Sequence, residues 1–175
     1  DPRLKNYVIG SKMFAIGSVY TKNSSLIESA EFDLKRFANE HGKTVLISKP
    51  AENHYVHIFK YQPSNSVIFI NEEIGYISDD FEISPIGRAL VLFRQKRQKV
   101  SEEDMEQFER GYVLSNANQG HLSQVCLPVR NFENRVVGII TICDLWQDRP
   151  ESPEIIKEIL LIAKNVSKRL GYLGE

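Results

Sequence analysis

The stretch that most constrains the fold is HLSQVCLPVRNFENRVVGIITICD, residues 121–144, in which two apolar, β-branched runs flank RNFEN. Asn131 and Asn134 suit a tight connection, so the sequence predicts a hairpin with arms near 121–129 and 136–143. Side chains alternate faces along a strand, which puts Leu122, Gln124, Cys126 and Pro128 on one face and Ser123, Val125, Leu127 and Val129 on the other. On the second arm Val137, Ile139, Thr141 and Cys143 share a face. A turn centred between Phe132 and Glu133 sets Gln124 opposite Thr141 and Leu122 opposite Cys143, placing two polar tips on a largely apolar surface. A buried amide or hydroxyl without a partner costs roughly 1 to 3 kcal/mol by mutation, so these groups call for protein, water or a ligand. A ligand pocket is one way to satisfy them.

At 175 residues the chain fits one domain, and a domain of that size buries roughly 70% of its unfolded surface. Cys126 and Cys143 show no disulfide-framework spacing and no secretory signal precedes them, so a reducing cytoplasm is the expected compartment. No apolar run approaches a membrane span. With 22 basic against 23 acidic residues, there is no electrostatic footprint for nucleic acid, and DNA binding by these residues alone is not expected. The charged run 93–104, FRQKRQKVSEED, reads as a solvated connection.

In chain order, Ile9, Met13, Ile16 and Tyr20 fall at helical spacing and predict a helix over 10–22. Ser25 and Glu28 form an S-x-x-E capping box for a second helix, whose face is Ile27, Ala30, Leu34, Phe37 and His41 and whose stop is Gly42. Three strands follow, TVLIS from Thr44, YVHIFKY from Tyr55 and SVIFI from Ser66, joined by short proline-containing turns that favour an antiparallel meander. His54 and His57 lie three apart, which on a strand sends the rings to opposite faces, so no metal site is expected. Ser84 and Pro85 read as N-cap and first residue of a helix to about Arg94, whose N-terminus could seat a small anion. A short helix runs from the Ser101/Asp104 box to Gly111, and VLSNANQG reads as the link into the hairpin. Ser152 and Pro153 open a terminal helix with Ile156, Ile159, Ala163, Val166 and Leu170 on one face. Ile155, Leu160, Leu161 and Ile162 widen its apolar band enough for two buried sides, one on the sheet and one on a partner chain. Together these elements predict an α/β (α+β) domain with a mainly antiparallel sheet of five to six strands and helices on its faces.

That order, with the segments DPRLKNYVIGSKMFAIG, LKRFANEHGKTVLIS, ISPIGRAL, ERGYVL and SQVCLPVRNFENRVVGIITICD, resembles the effector-binding domain of IclR-type bacterial transcription regulators over nearly the whole chain. The resemblance implies a GAF-like, profilin-like domain that binds a small-molecule effector, often a small organic or aromatic acid, and self-associates as a dimer or tetramer. DNA would be read only by an N-terminal winged helix-turn-helix, expected upstream and absent from residues 1–175. Carried over by position, the ligand-binding residues are Ile70, Pro85, Ile86, Ser115, Gln124, Thr141 and Cys143; the resemblance implies no metal and no cofactor. The chain departs from the family at Ser115, where an acidic residue is common nearby, and at Gln124, where relatives carry cysteine. It departs again at TICD, where Asp144 replaces the glycine of an SxSG run, and at Glu82 in place of a histidine.

Two rival readings remain open at this level. One is a pure oligomerisation domain in which Gln124 and Thr141 simply bond each other across strands. The other is an enzyme using Cys126 or Cys143 as nucleophile, which would need a base or positive surroundings to lower the thiol pKa; no C-x-x-C or nucleophile elbow occurs.

Overall fold

The computed structural model describes residues 11–12, 17, 19, 24–78, 81, 83–117, 122–145 and 152–174. The expected helix over 10–22 lies almost wholly outside the described residues. In chain order the elements are α1 (Ser25–His41), β1 (Thr44–Pro50), β2 (Tyr55–Tyr61), β3 (Ile77–Ser78), α2 (Pro85–Arg94), a 3-10 turn (Arg97–Lys99), α3 (Glu102–Arg110), β4 (Val113–Ala117), β5 (Leu122–Arg130), β6 (Val136–Leu145) and α4 (Pro153–Arg169). The six strands form one sheet in the order β3-β2-β1-β6-β5-β4, with every neighbouring pair antiparallel.

The hairpin forms with a different register from the one expected. Gln124 stands opposite Cys143 and Cys126 opposite Thr141, not Gln124 opposite Thr141. Two features cause the slip. The loop centres on Glu133, closed by hydrogen bonds from Asn131 N to the Arg135 carbonyl (3.0 Å) and from Asn134 N to the Asn131 carbonyl (2.9 Å), with Asn134 at φ 59°. A bulge then pairs Val129 with Gly138 but Arg130 with Val136, inserting one extra residue on β6. A slip of two leaves every side chain on its expected face, whereas a slip of one would have reversed them all.

The segment 66–70, SVIFI, is not a strand. Both sides of β1 are taken, by β2 and β6, and β2 gives its outer edge to β3 and to the turn before it, through His57 N to Tyr76 O and Gly75 N to His57 O. The alternation in SVIFI is nonetheless used: Ile68 and Ile70 pack on Leu46, Cys143 and Leu122, while Val67 and Phe69 face water. Side chains hold its backbone, with Ile70 N donating to Gln62 Oε1 (3.4 Å) and Lys60 Nζ to the Ile70 carbonyl (2.5 Å). Conversely, the Asn-rich link VLSNANQG contains the edge strand β4, because the outer side of β5 was free to receive it.

Each sheet face has its own cover. Val45, Ile47, Val125, Leu127, Val129, Ile140 and Ile142 lie beneath α1 and α4. On the other face Cys126 and Ile139 pack under α2 through Ile86, Ala89, Leu90 and Phe93. The second apolar side of α4 packs within the chain on α1, and Leu161 of the same helix is left exposed. Polar ties between these helices are His41 Nε2 to Glu158 Oε2 (2.8 Å) and Arg169 Nη1 to Asp33 Oδ2 (2.7 Å). Helix α1 is capped by Ser24, not Ser25: the Ser24 hydroxyl accepts from Ile27 N at 3.5 Å and its carbonyl from Glu28 N. The caps at Ser84, Ser101 and Ser152 stand where the sequence puts them.

Candidate functional site

A cleft of about 300 Å³ opens on the α2 side of the sheet, between β1, β2, β5 and the start of α2. Its floor comes from strand alternation, since Leu46, Gln124 and Leu122 project from the same face. Its roof is Ile83, Ser84, Pro85 and Ile86, and its end wall is Ile70, Glu72, Tyr76 and Ser78. Of the residues singled out by sequence, Ile70, Pro85, Ile86 and Gln124 line the cleft. Thr141 and Cys143, fully buried, form the layer beneath it. Ser115 is the β4 residue paired with Gln124.

Gln124 and Thr141 share a face but do not bond each other. Gln124 Nε2 donates to Cys143 Sγ at 3.8 Å and Thr141 Oγ1 to Cys126 Sγ at 3.7 Å. Thiol sulfur is a weak acceptor, so the Gln124 amide keeps most of its capacity, and among the described residues its Oε1 accepts no hydrogen bond. Burial pushes the Cys126 thiol up to about 12 and the Cys143 thiol higher still. Such thiols are protonated and closed to solvent, the reverse of an activated nucleophile. Asp144 points to the opposite face, where it is paired with Lys43.

Sequence reasoning missed an aromatic wall. Tyr55 and His57 alternate onto the cleft face of β2, and the turn before β3 brings Tyr76 over them. His57 lies 5.4 Å from the Tyr76 ring at 24° and 5.6 Å from Tyr55. Its Nδ1 is 2.9 Å from the Ser48 hydroxyl. Burial lowers its pKa to about 4, against the pull of the Glu72 carboxylate, so it is neutral near pH 7. Burial also raises the Tyr55 phenol, which hydrogen-bonds to Ser78 and Ser84. The i, i+2 spacing within YVHIFKY was the signal available, and it points both rings to one face. His54 sits just before β2, half-buried and apart from this wall.

The helix start is less open to an anion than its sequence suggests. Pro85 has no N–H, Gly87 N donates to the Ser84 hydroxyl at 3.1 Å, and Arg88 N donates to the Ser84 carbonyl at 2.9 Å. The Phe81 main chain also lies hard against this turn. A Cβ on Gly87 would fall 1.8 Å from the Phe81 carbonyl oxygen, so glycine is needed for the approach. Among the described residues, Glu40, His41 and Glu158 bring potential metal-ligating atoms together, and the His41–Glu158 hydrogen bond accounts for two of them. No helix among the described residues is long and apolar enough to cross a membrane.

The sequence matches no protein-family model and no curated protein. Solved structures do match. The Thermotoga maritima IclR protein shares 19% identity at a TM-score of 0.72, over 95% of this chain and 76% of that one. An IclR transcriptional regulator from Alicyclobacillus acidocaldarius shares 18% at 0.74, over 99% and 78%. The C-terminal domain of the E. coli transcriptional regulator KdgR, alone, shares 20% at 0.67 and is covered in full by 85% of this chain. Its neighbours among solved structures are thus IclR-family regulators, and the chain has the fold of their C-terminal domain.

Proposed function

We propose that this domain binds a small-molecule effector in the cleft between the sheet and the start of α2, and is the sensor half of a cytoplasmic transcription regulator. The observation that carries the reading is the placement of the Gln124 amide, with unused hydrogen-bonding capacity, at the floor of a cleft closed by Ile70, Pro85 and Ile86. Thr141 and Cys143 shape that floor from below, and Ser115 supports Gln124 from the next strand. The effector acts by population shift: it favours one arrangement of associated copies and so biases an upstream DNA-reading half by its differential affinity. Self-association is supported by Phe32 and Leu161, large apolar side chains left in water on α1 and α4. With three or four hydrogen bonds set against an association cost of roughly 4 to 15 kcal/mol, effector affinity falls in the micromolar to millimolar range.

Isothermal titration of the 175-residue chain with a broad panel of acids, amines, sugars and aromatics tests this. At least one compound gives saturable heat that Gln124→Leu abolishes. Silence across the whole panel refutes the sensor reading.

A further inference from the structure

The cleft lining has a one-sided electrostatic character. Its described residues include one carboxylate, Glu72, and no lysine or arginine. Glu72 acts on both His57 and Cys143, so its charge is felt along the floor, and among the described residues it has no ion-pair or hydrogen-bond partner. Lys60, the cation that also acts on His57, is already committed to Glu73 (2.6 Å) and the Ile70 carbonyl. The neutral polar groups of the lining accept as well as donate, and among them stand Gln124 Oε1 and the electron-rich faces of two tyrosines beside a neutral imidazole. The helix start offers an anion little: Pro85 has no N–H, and the Gly87 and Arg88 N–H groups are bonded to Ser84, which leaves the single N–H of Ile86. A carboxylate entering here would lose its water shell, meet no counter-charge and stand beside Glu72. An ammonium group would meet a carboxylate, an amide oxygen and ring faces.

We infer that the cleft selects a small organic cation, an ammonium compound bearing an apolar or aromatic group, with Glu72 and the Tyr55–His57–Tyr76 wall as its receptor. This rests on the effector-binding reading above and deepens it.

Three probes of one shape and different charge separate the possibilities: benzylammonium, benzyl alcohol and benzoate, titrated calorimetrically into the wild-type chain and into Glu72→Gln. Glu72 is partly exposed, so the variant folds. Benzylammonium binds at least tenfold more tightly than benzoate, and Glu72→Gln weakens it by about tenfold or more, the loss of one charge-assisted contact, while benzyl alcohol is unaffected. Benzoate binding as tightly as benzylammonium, or an ammonium affinity indifferent to Glu72→Gln, overturns the inference. If benzoate binds and Gln124→Leu abolishes it, the effector site stands and only its charge preference falls. If none of the three binds but a compound of the wider panel does, a cation upholds the inference and an anion or neutral compound overturns it. Silence across the panel overturns both.

Discussion

Acidification probes the buried end of the cleft wall through His57. The ring is 3% exposed, and burial lowers its pKa from 6.5 in the open chain to about 4 in the fold. Between those values the unfolded chain holds a proton that the folded one refuses, so stability rises with pH across this window. The histidine's penalty is absent above about pH 6.5, grows as pH falls, and levels off below about 4. At 1.36 kcal/mol per pH unit the full swing is about 3 kcal/mol, with about 2 kcal/mol of it between pH 7 and 5. Urea unfolding of the wild type and of His57→Asn at intervals from pH 7.5 to 4.5 measures it. Carboxylates titrate in both proteins, so the difference between the two curves isolates His57. Asparagine keeps a partner for the Ser48 hydroxyl and has nothing to protonate. The wild type loses about 2 kcal/mol more than the variant on going from pH 7 to 5. Parallel curves would show that the ring is already hydrated or protonated in the native state, and the neutral aromatic wall would be refuted.

Gly87→Ala forces a Cβ into the Phe81 carbonyl and costs about 1 to 3 kcal/mol, seen as a melting temperature lower by several degrees; an unchanged melt would refute the close approach. Ser24→Ala destabilises by about 1 kcal/mol while Ser25→Ala changes stability by a few tenths, since only the first hydroxyl caps α1; equal effects in denaturant titrations would restore the capping box read from sequence. Cys126 and Cys143 resist iodoacetamide in the native protein at pH 7.5 and react together once it is denatured, and rapid native labelling of either, read by mass spectrometry, would revive a thiol-based activity.

What could be read from the chain was mainly what is decided locally. The caps at Ser84–Pro85, Ser101 and Ser152–Pro153 each concern a hydroxyl and an amide three residues apart, and all three stand as expected. Face assignment in the hairpin also survives, since parity alone fixes it and the register moved by two. The register itself was hidden, because a bulge beside Arg130 leaves no mark in composition. SVIFI shows the limit most clearly. Its alternation correctly separated Ile68 and Ile70 from Val67 and Phe69, yet whether those residues join a ladder depends on which sheet edges other segments have already claimed. VLSNA is the converse, a polar stretch made into β4 by an available neighbour. At the site, Gln124, Ile70, Pro85 and Ile86 come from alternation, a cap and a resemblance. The Tyr76 contribution came from a turn whose docking on His57 no local pattern announces.

The segment 66–70, whose last residue lines the cleft, is fastened to the sheet by two isoleucines and a few side-chain bonds, with no main-chain ladder to unzip. Its hold on Leu46 and Cys143 is separate from the strand pairing, so a substitution that loosens Ile68 or Ile70 alters this end of the hollow without opening the sheet. The shape of the hollow at Ile70 can thereby change while the framework that carries it stays intact.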